Sequence, residues 1–322
     1  MNEFDIIERY FRFSPPSADA PVSIGDDAAI VDNRGPLAIT VDTLIAGVHF
    51  PEDARPADIG HKALAVNLSD LAAMGATPRW FTLALTLPAS DPDWLADFSS
   101  GLKALANRYG IRLIGGDTTR GPLSVTIQAI GSAPSGGAVL RAGARPGDDI
   151  HVTGSLGDAA LGLRIHRGEA RLDPNLERLC LERLHAPEPR VRAGEALAPL
   201  ASAMIDCSDG FAADLGHVLS ASGVSAVVDF VALPFSSAVR RWLDDGGEPA
   251  LPLTGGDDYE LIFTAPPSAR EAIATVAESL SLPVSRVGRI TPEGGLKIMA
   301  DGRPLVLQQR GHDHFRADGE RP

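Results

Sequence analysis

The apolar stretch from Ala57 to Gly75 is the feature that most constrains the fold, because its second half places Asp70 among residues that are usually buried. Pro56 precedes the stretch, alanine and leucine fill it and a glycine ends it, which is the pattern of one long helix. A carboxylate in such a helix is costly to desolvate unless it meets a cation or several N–H donors. Asp70 therefore either belongs to a polar stripe facing a loop or solvent, or is a metal ligand whose partners lie elsewhere in the chain.

Length and charge narrow the classes of protein to consider. A chain of 322 residues exceeds what one hydrophobic core usually supports, so two domains are expected. The net charge is −13 with only three lysines, which disfavours partners that are held by basic side chains. We therefore expect no nucleic-acid and no membrane partner, and we expect any anionic ligand to be bridged by cations.

The cysteines and the first residues predict a cytoplasmic protein. Cys180 and Cys207 are isolated and fall in a predicted helix and a predicted strand, so we interpret them as buried free thiols rather than as a disulfide or a zinc site. The opening MNEFDIIERYF is charged and amphipathic, unlike a signal peptide. No uninterrupted apolar run is long enough to span a bilayer.

Predicted strands and helices alternate irregularly, with several strands in succession, which favours an α+β fold over a doubly wound sheet. The stretch from Pro134 to Asp149 is dense in glycine, alanine, proline and arginine, as linkers between domains often are. We therefore predict an amino-terminal domain over residues 1–135 and a carboxy-terminal α/β domain over residues 146–322.

One strand of the first domain is predicted to carry two different faces. The run that begins at Leu37 alternates, so that Leu37, Ile39 and Val41 face one way while Thr40 and Asp42 face the other. Asp42 therefore ends the polar edge of this strand.

Three loops in the first half carry polar residues that could face a ligand. Gly25 and Asp27 lie between two short β-type runs, where a hairpin turn is the alternative. His49 lies in a loop, either as a surface histidine or as a ligand-recognition residue. Gly116 and Asp117 are predicted to lie in a polar turn after a buried strand, where glycine allows a ligand to approach the backbone.

The second half contains three comparable segments. Asp206, Ser208 and Asp209 follow a β-type run and precede a helix, which predicts a ligand edge, and the alternative is that Asp209 only caps the helix. Gly-Gly-Asp recurs at 255–257, where a hairpin turn is the alternative. The glycine-containing turn at 154–158 could hold phosphate at a helix N-terminus, but a tight strand-to-helix connection is favoured.

Several familiar chemistries are excluded by their missing motifs. No lysine is followed by serine or threonine, so there is no Walker A loop, and GxGxxG, GxSxG and HExxH do not occur. What remains is a set of aspartates at the ends of predicted elements, and oxygen-only ligands suit Mg²⁺, which commonly bridges carboxylates to phosphate. The residues alone therefore predict Mg²⁺ and a nucleotide, and nothing more specific.

Six motifs, taken in chain order, resemble the thiamine-monophosphate kinases, which belong to the superfamily of aminoimidazole ribonucleotide synthetase. They are SIGDDAA from 23, TVDTLIAGVHF from 40, KALAVNLSDLAAMGATP from 62, LIGGDTTRGPL from 113, IDCSDGFAADLGH from 205 and TGGDDYELIFT from 254. The resemblance implies two α/β domains, with the amino-terminal domain pairing its sheet with that of a second copy in a homodimer. It also implies direct in-line transfer of the ATP γ-phosphoryl group to thiamine monophosphate, giving thiamine diphosphate, in the last step of its biosynthesis.

The resemblance also implies roles for individual residues. A cluster of Mg²⁺ ions is implied at Asp27, Thr40, Val41, Asp42, Asp70, Asp117, Asp206 and Asp209. ATP, the co-substrate, is implied at Tyr109, Gly116, Asp117, Arg141 and Ser208. Thiamine monophosphate is implied at His49, Asp257 and His312. K⁺ is a further candidate cofactor.

Other functions remain open at this point. Selenophosphate synthetase and the hydrogenase-maturation dehydratase share the superfamily, but this chain lacks the reactive amino-terminal cysteine or selenocysteine of the first and the terminal cysteine of the second. Aminoimidazole ribonucleotide synthetase is kept as the alternative enzyme. A nonenzymatic nucleotide-binding protein, in which the aspartates only bind ions, is the alternative of a different class.

Overall fold

The computed structural model describes residues 2–307 and residue 311. The chain divides into two compact units. The amino-terminal unit comprises the residues up to Ala138 together with His185–Ala198, and the carboxy-terminal unit comprises Val139–Leu184 and the residues from Pro199 onward. The first change of unit thus falls inside the stretch where the sequence predicts a boundary, whereas the return of 185–198 to the first unit has no signal in the sequence.

The amino-terminal unit is built on a four-stranded sheet of order β1-β4-β2-β3. Strands β1, β4 and β2 pair antiparallel, and β2 and β3 pair parallel. Its elements are α1 (Glu3–Ile6), β1 (Leu37–Ile45), α2 (Pro56–Ala73), β2 (Thr77–Leu87), α3 (Pro92–Tyr109), β3 (Arg112–Arg120), β4 (Ser124–Ser132) and α6 (Val191–Leu197).

The predicted long helix is α2, and nearly all of its residues from Ile59 onward are buried. A Cβ on Gly60 would lie 2.2 Å from the Phe98 carbonyl oxygen, and one on Gly101 would lie 1.9 Å from the Ala57 carbonyl oxygen. Helices α2 and α3 therefore approach each other at a distance that only glycine permits. This close packing explains why α2 is rich in small residues, and it fixes the axis that carries Asp70.

The first residues form an arm packed on α3. Beyond α1 the chain continues as one π-helical turn over Ile7–Phe11. The Phe11 ring meets Phe98 edge-on, with ring centroids 6.3 Å apart, and the Tyr10 hydroxyl donates a hydrogen bond to the Pro92 carbonyl oxygen. The arm is thereby anchored to the beginning and middle of α3.

Strand β1 has the predicted alternation, with an unexpected orientation. Its polar row faces α2, since the Thr40 hydroxyl donates a hydrogen bond to the Asp70 carboxylate. Its apolar row is the exposed one, with Ile39 60% and Val41 58% exposed. Because β1 is also an edge strand, the unit presents a row of apolar side chains beside an edge that pairs with no other strand of the described residues.

The carboxy-terminal unit is built on a seven-stranded sheet of order β11-β10-β7-β9-β5-β8-β6, in which only β10 and β7 pair parallel. The strands are β5 (Asp149–Thr153), β6 (Ala203–Asp206), β7 (Ser225–Asp229), β8 (Leu261–Ala265), β9 (Val284–Thr291), β10 (Leu296–Ala300) and β11 (Arg303–Pro304). The helices are α4 (Asp158–His166), α5 (Pro174–His185), α7 (Phe211–Ser222), α8 (Ser237–Asp244), α9 (Leu251–Thr254) and α10 (Arg270–Leu280).

The main core of this unit lies between the sheet and α7, where Phe211 and Leu215 meet Ile150, Val152 and Ile205.

The two mixed sheets, each accompanied by helices, confirm the α+β prediction. Both cysteines are buried free thiols, as predicted. Among the described residues, no helix is long and apolar enough to cross a membrane.

Candidate functional site

The amino-terminal unit places two carboxyl groups side by side, Asp42 on β1 and Asp70 on α2. Burial and, second, the neighbouring charge of Asp70 raise the pKa of Asp42 to about 6. Thr40 lies on the same row of β1 and donates its hydroxyl hydrogen to Asp70. The polar face of β1 therefore meets α2 at Asp42 and Asp70. Their two carboxyl groups repel each other when both are ionised.

This pair has the chemistry of a site for a hard cation. Two carboxylates and a hydroxyl are oxygen ligands of the kind that Mg²⁺ prefers, and a cation would relieve their repulsion. Among residues 2–307 and 311, however, no three acidic, histidine or cysteine side chains converge at one point. The donor set at Asp42 and Asp70 thus fits Mg²⁺, while the larger cluster implied by the resemblance stays a prediction.

A cavity of about 920 Å³ in the same unit brings together three other predicted residues, Asp27, Gly116 and Asp117. The remaining walls include Phe4, Glu8 and Arg12 of the amino-terminal arm, and Thr82 and Leu83 of β2. Because glycine backbone, carboxylates and an arginine line one cavity, it offers contacts for a phosphorylated ligand bridged by cations.

The segment around Gly116 differs from the prediction, because β3 continues to Arg120 instead of ending in a polar turn. The backbone at Gly116 has φ +155°, and a Cβ there would lie 1.9 Å from the Leu83 carbonyl oxygen of β2. Glycine therefore serves close strand pairing at this position. The expectation of a turn was wrong because consecutive glycines are also compatible with an irregular parallel pair, and β2 and β3 shift register nearby.

His49 lies in a tight loop after β1. Its Nδ1 accepts a hydrogen bond from the backbone N–H of Ile45 at 3.0 Å. A neutral imidazole with an occupied Nδ1 acceptor carries its proton on Nε2, so His49 has an Nε2–H donor suited to an oxygen acceptor.

Tyr109 ends α3, where its hydroxyl donates to Glu188 at 2.6 Å and lies 2.9 Å from the Pro189 carbonyl oxygen. Burial, and to a smaller extent the hydrogen bond to Glu188, raise the pKa of Tyr109. The phenol thus joins α3 to the segment that precedes α6. The nucleotide contact implied for Tyr109 stays a prediction.

In the carboxy-terminal unit, backbone hydrogen bonds join two of the predicted segments. The Asp257 N–H donates to the Ser208 carbonyl oxygen at 2.9 Å, and the Tyr259 N–H donates to the Cys207 carbonyl oxygen at 2.8 Å. The loop after α9 is therefore fastened to the loop after β6. This places Asp257 beside the segment that contains Asp206 and Asp209, and the hairpin alternative for 255–258 is wrong because a helix precedes this loop.

The alternative in which Asp209 merely caps α7 is also wrong. Asp214, one turn inside the helix, accepts hydrogen bonds from the N–H groups of Asp209 and Gly210 at 3.0 and 3.1 Å. Burial and the nearby Asp209 charge raise the pKa of Asp214 to about 7. The residue that caps α7 is Gly210, and no side chain of the described residues accepts a hydrogen bond from the first turn of the helix, so Asp209 is not its cap.

The turn at 154–158 is a tight strand-to-helix connection, as favoured from the sequence. Asp258 accepts the Gly157 N–H with both carboxylate oxygens, at 2.8 and 3.0 Å. A side-chain carboxylate thus occupies the anion position at the N-terminus of α4. Sequence reasoning missed this role, and the doubled aspartate at 257–258 was the available signal.

For two of the predicted site residues, Arg141 and His312, the structure gives little or no information on the side chain. Arg141 lies in an exposed loop, where its carbonyl oxygen accepts a hydrogen bond from the Ser222 hydroxyl. His312 lies outside the described residues. The roles implied for both stay predictions.

Two family models match the chain. The model described as AIR synthase related protein, N-terminal domain, matches residues 25–133, and the corresponding C-terminal domain model matches residues 145–301. The two matched ranges follow one another along the chain, as the two sheets do. The fold and the aspartate-containing loops therefore define a member of the AIR synthase-related class.

Individual relatives narrow the assignment. The chain is 48% identical to thiamine-monophosphate kinase of Salmonella typhimurium over 97% of this chain and 98% of that protein. The crystal structure of thiamine-monophosphate kinase from Stenotrophomonas maltophilia K279a matches with a TM-score of 0.83 and 47% identity, over 94% of this chain and 96% of that one. A structure described as AaThiL complexed with AMPPCP and TMP matches with a TM-score of 0.76 and 30% identity, over 90% and 92%. The chain belongs to the thiamine-monophosphate kinase family.

Proposed function

We propose that this protein transfers the γ-phosphoryl group of ATP to thiamine monophosphate, giving thiamine diphosphate and ADP with the assistance of bound Mg²⁺. The observation that carries the proposal is the pair of adjacent carboxyl groups, Asp42 and Asp70, in a chain that matches a thiamine-monophosphate kinase over 97% of its length. The related structure described with AMPPCP and TMP supports the same pair of substrates.

The residues of the chain have distinct parts in this reaction. Asp42 and Asp70 would hold the metal, and the Thr40 hydroxyl orients Asp70. When bound, Mg²⁺ neutralises the charge of the two phosphorylated substrates. We assign His49 to the contact with thiamine monophosphate. The acceptor oxygen already belongs to a phosphate of low pKa, so the transfer needs no strong general base and no protein nucleophile.

The other implied ligands complete the proposal. Asp27 and Asp117, which line the cavity of the amino-terminal unit, would hold further Mg²⁺ ions with ATP against Gly116. Asp206 and Asp209 of the carboxy-terminal unit have corresponding roles, with Ser208 on the nucleotide and Asp257 on thiamine monophosphate. The cytoplasmic location and any role of K⁺ stay predictions from the sequence.

The decisive assay mixes the protein with Mg²⁺, ATP and thiamine monophosphate and quantifies thiamine diphosphate and ADP chromatographically. We expect Asp70→Asn to lower kcat by at least about 10²–10³-fold, the usual cost of removing one strong electrostatic contact to the transition state. Asp58→Asn is the matched control, because Asp58 lies on the same helix and its carboxylate pairs with the exposed Arg55.

A second readout separates metal binding from turnover. Mn²⁺ titration followed by electron paramagnetic resonance should show weaker binding to Asp70→Asn and unchanged binding to Asp58→Asn. Formation of no thiamine diphosphate above the enzyme-free control would exclude the proposed reaction. Near-normal kcat in Asp70→Asn across a Mg²⁺ titration would exclude the metal role of this residue.

We also propose that the active form is a homodimer joined through β1. The exposed apolar row of this edge strand supports the proposal, because such rows commonly mark protein interfaces. We expect sedimentation equilibrium to give twice the mass of the chain, and Ile39→Glu to give one chain mass. Val231→Glu, which places the same charge on an apolar side chain that is 70% exposed in the other unit, should leave the mass unchanged. A monomeric wild-type protein at micromolar concentration would contradict the dimer.

A further inference from the structure

The loop between α9 and β8 contains two residues in an unusual backbone conformation. Asp257 has φ +70° and Tyr259 has φ +49°. Such conformations are unfavourable for residues that carry a Cβ, and more so for tyrosine than for aspartate. Within the described part of the chain, the other positive φ values outside glycine belong to Ser281, which ends α10, and Asp301, in the turn before β11.

The two side chains in this conformation are bonded to each other. The Tyr259 hydroxyl donates a hydrogen bond to Asp257 Oδ1 at 2.9 Å, and Tyr259 is only 7% exposed. The backbone of both residues is fastened to the neighbouring loop through Ser208 and Cys207. The phenol is therefore a fixed donor, and it restricts the orientation of a carboxylate that is itself only partly buried.

The residue between them has a different task. The carboxylate of Asp258 is buried and bonded to the N–H of Gly157 at the start of α4. The two consecutive carboxylates therefore have different partners. Asp258 accepts a hydrogen bond at the start of α4, and Asp257 accepts one from the Tyr259 hydroxyl. If the loop were only a connection, glycine or asparagine at 257 and 259 would relieve the strain. The conformation of the loop instead brings the side chains of Asp257 and Tyr259 into contact with each other.

We infer that Tyr259 is a positioning residue, whose hydroxyl holds the Asp257 carboxylate in the orientation with which it meets the ring portion of thiamine monophosphate. The inference rests on the proposed function. A carboxylate repels phosphate and complements the quaternary thiazolium and the amino group of the pyrimidine, which selects the ring end of this substrate over ATP. An oriented carboxylate also loses less rotamer freedom when the substrate binds.

The test is Tyr259→Phe, which removes one oxygen atom and keeps the buried ring. We expect the KM for thiamine monophosphate to rise about 3- to 10-fold, the effect of losing one hydrogen bond of ordinary strength. We expect kcat and the KM for ATP to stay within about twofold, and the thermal unfolding midpoint to stay close to the wild-type value, since the ring and its packing remain.

Two comparisons isolate the inference. Tyr10→Phe is the matched control, because it removes a phenol oxygen bonded to the Pro92 carbonyl oxygen at 3.1 Å in the amino-terminal unit, and it should change neither KM. In an Asp257→Ala background, Tyr259→Phe should add no further increase in the KM for thiamine monophosphate, since the phenol acts through that carboxylate. An equal rise in both KM values, or a full additional effect in the Asp257→Ala background, would overturn the inference.

Calorimetric titration of thiamine monophosphate without ATP separates the inference from the proposed reaction. A wild-type protein that binds thiamine monophosphate but forms no thiamine diphosphate overturns the reaction alone. In that case a 3- to 10-fold weaker Kd in Tyr259→Phe still supports the positioning role, and an unchanged Kd overturns it.

Discussion

Asp258 in the carboxy-terminal unit is buried and Asp42 in the amino-terminal unit is partly buried, and they differ in what surrounds their carboxyl groups. Asp258 accepts N–H groups of Gly157 and Ala159 at the start of α4. In the described part of the chain, Asp42 has no side-chain hydrogen bond, and its close charged neighbour is Asp70. Burial raises the pKa of both groups. The comparison separates a carboxyl that completes the fold from one that a cation would stabilise.

The largest stability effect is expected at Asp258. Asp258→Ala leaves the N–H groups of Gly157 and Ala159 without their acceptor in a buried position, which should cost about 2–4 kcal/mol in the free energy of unfolding. Urea unfolding measures this cost. Asp258→Asn keeps an oxygen acceptor and should lose less than half as much. Equal losses in the two variants would show that the N–H bonds are not the reason for the buried carboxyl.

An intermediate effect of pH is expected at His151 on β5, whose ring stacks on Phe263 with centroids 5.0 Å apart. Burial lowers the pKa of His151 to about 4, with Arg286 and Arg270 acting in the same direction and Asp149 opposing them. Because the unfolded histidine has the higher pKa, about 6.5, the stability that this group contributes is present above that pH and is lost as the pH falls toward 4.

His151→Phe should remove this pH dependence while keeping a stacked ring. Relative to the wild type, its free energy of unfolding should gain about 2–3 kcal/mol between pH 7.5 and pH 4.5. Urea unfolding at the two pH values gives the difference. If the difference in the free energy of unfolding between variant and wild type does not change with pH, His151 is not buried in its neutral form.

The smallest effect is expected at Asp42, with the opposite sign. Its folded pKa of about 6 lies above the value for an unfolded aspartate, so the stability it contributes is present at low pH and is lost as the pH rises through 6. Without metal, Asp42→Asn should therefore be more stable than the wild type at pH 8 by about 1–2 kcal/mol, after allowance for partial exposure.

Adding or removing Mg²⁺ is the control for the comparison of Asp42→Asn with the wild type. Thermal unfolding in the presence of a chelator should show the advantage of Asp42→Asn at pH 8 and none at pH 4. Added Mg²⁺ should stabilise the wild type more than the variant and so narrow the gap at pH 8. A gap that is independent of both pH and Mg²⁺ would contradict the role assigned to the Asp42–Asp70 pair.

Local patterns predicted the elements well where local chemistry decides them. Asp91 caps α3 with its side chain, and Gly110 ends that helix in the left-handed conformation, which are the usual positions of these residue types at helix ends. The alternation of β1 was also correct. The continuation of β3 through Gly116 was not predictable, because glycine is compatible both with a turn and with the close approach of Leu83 on β2.

The candidate site likewise has features that the sequence predicts and features that only the tertiary structure decides. The sequence by itself determined that this chain has acidic residues at the ends of its elements, an acidic surface without a Walker A lysine, and a buried helix that carries Asp70. Only the tertiary structure decided which carboxyl groups serve the fold and which remain for a ligand, since adjacent residues such as Asp257 and Asp258 point to different partners. The physical reason is that the state of a buried carboxyl depends on donors and charges from distant parts of the chain, which spacing along the sequence does not specify.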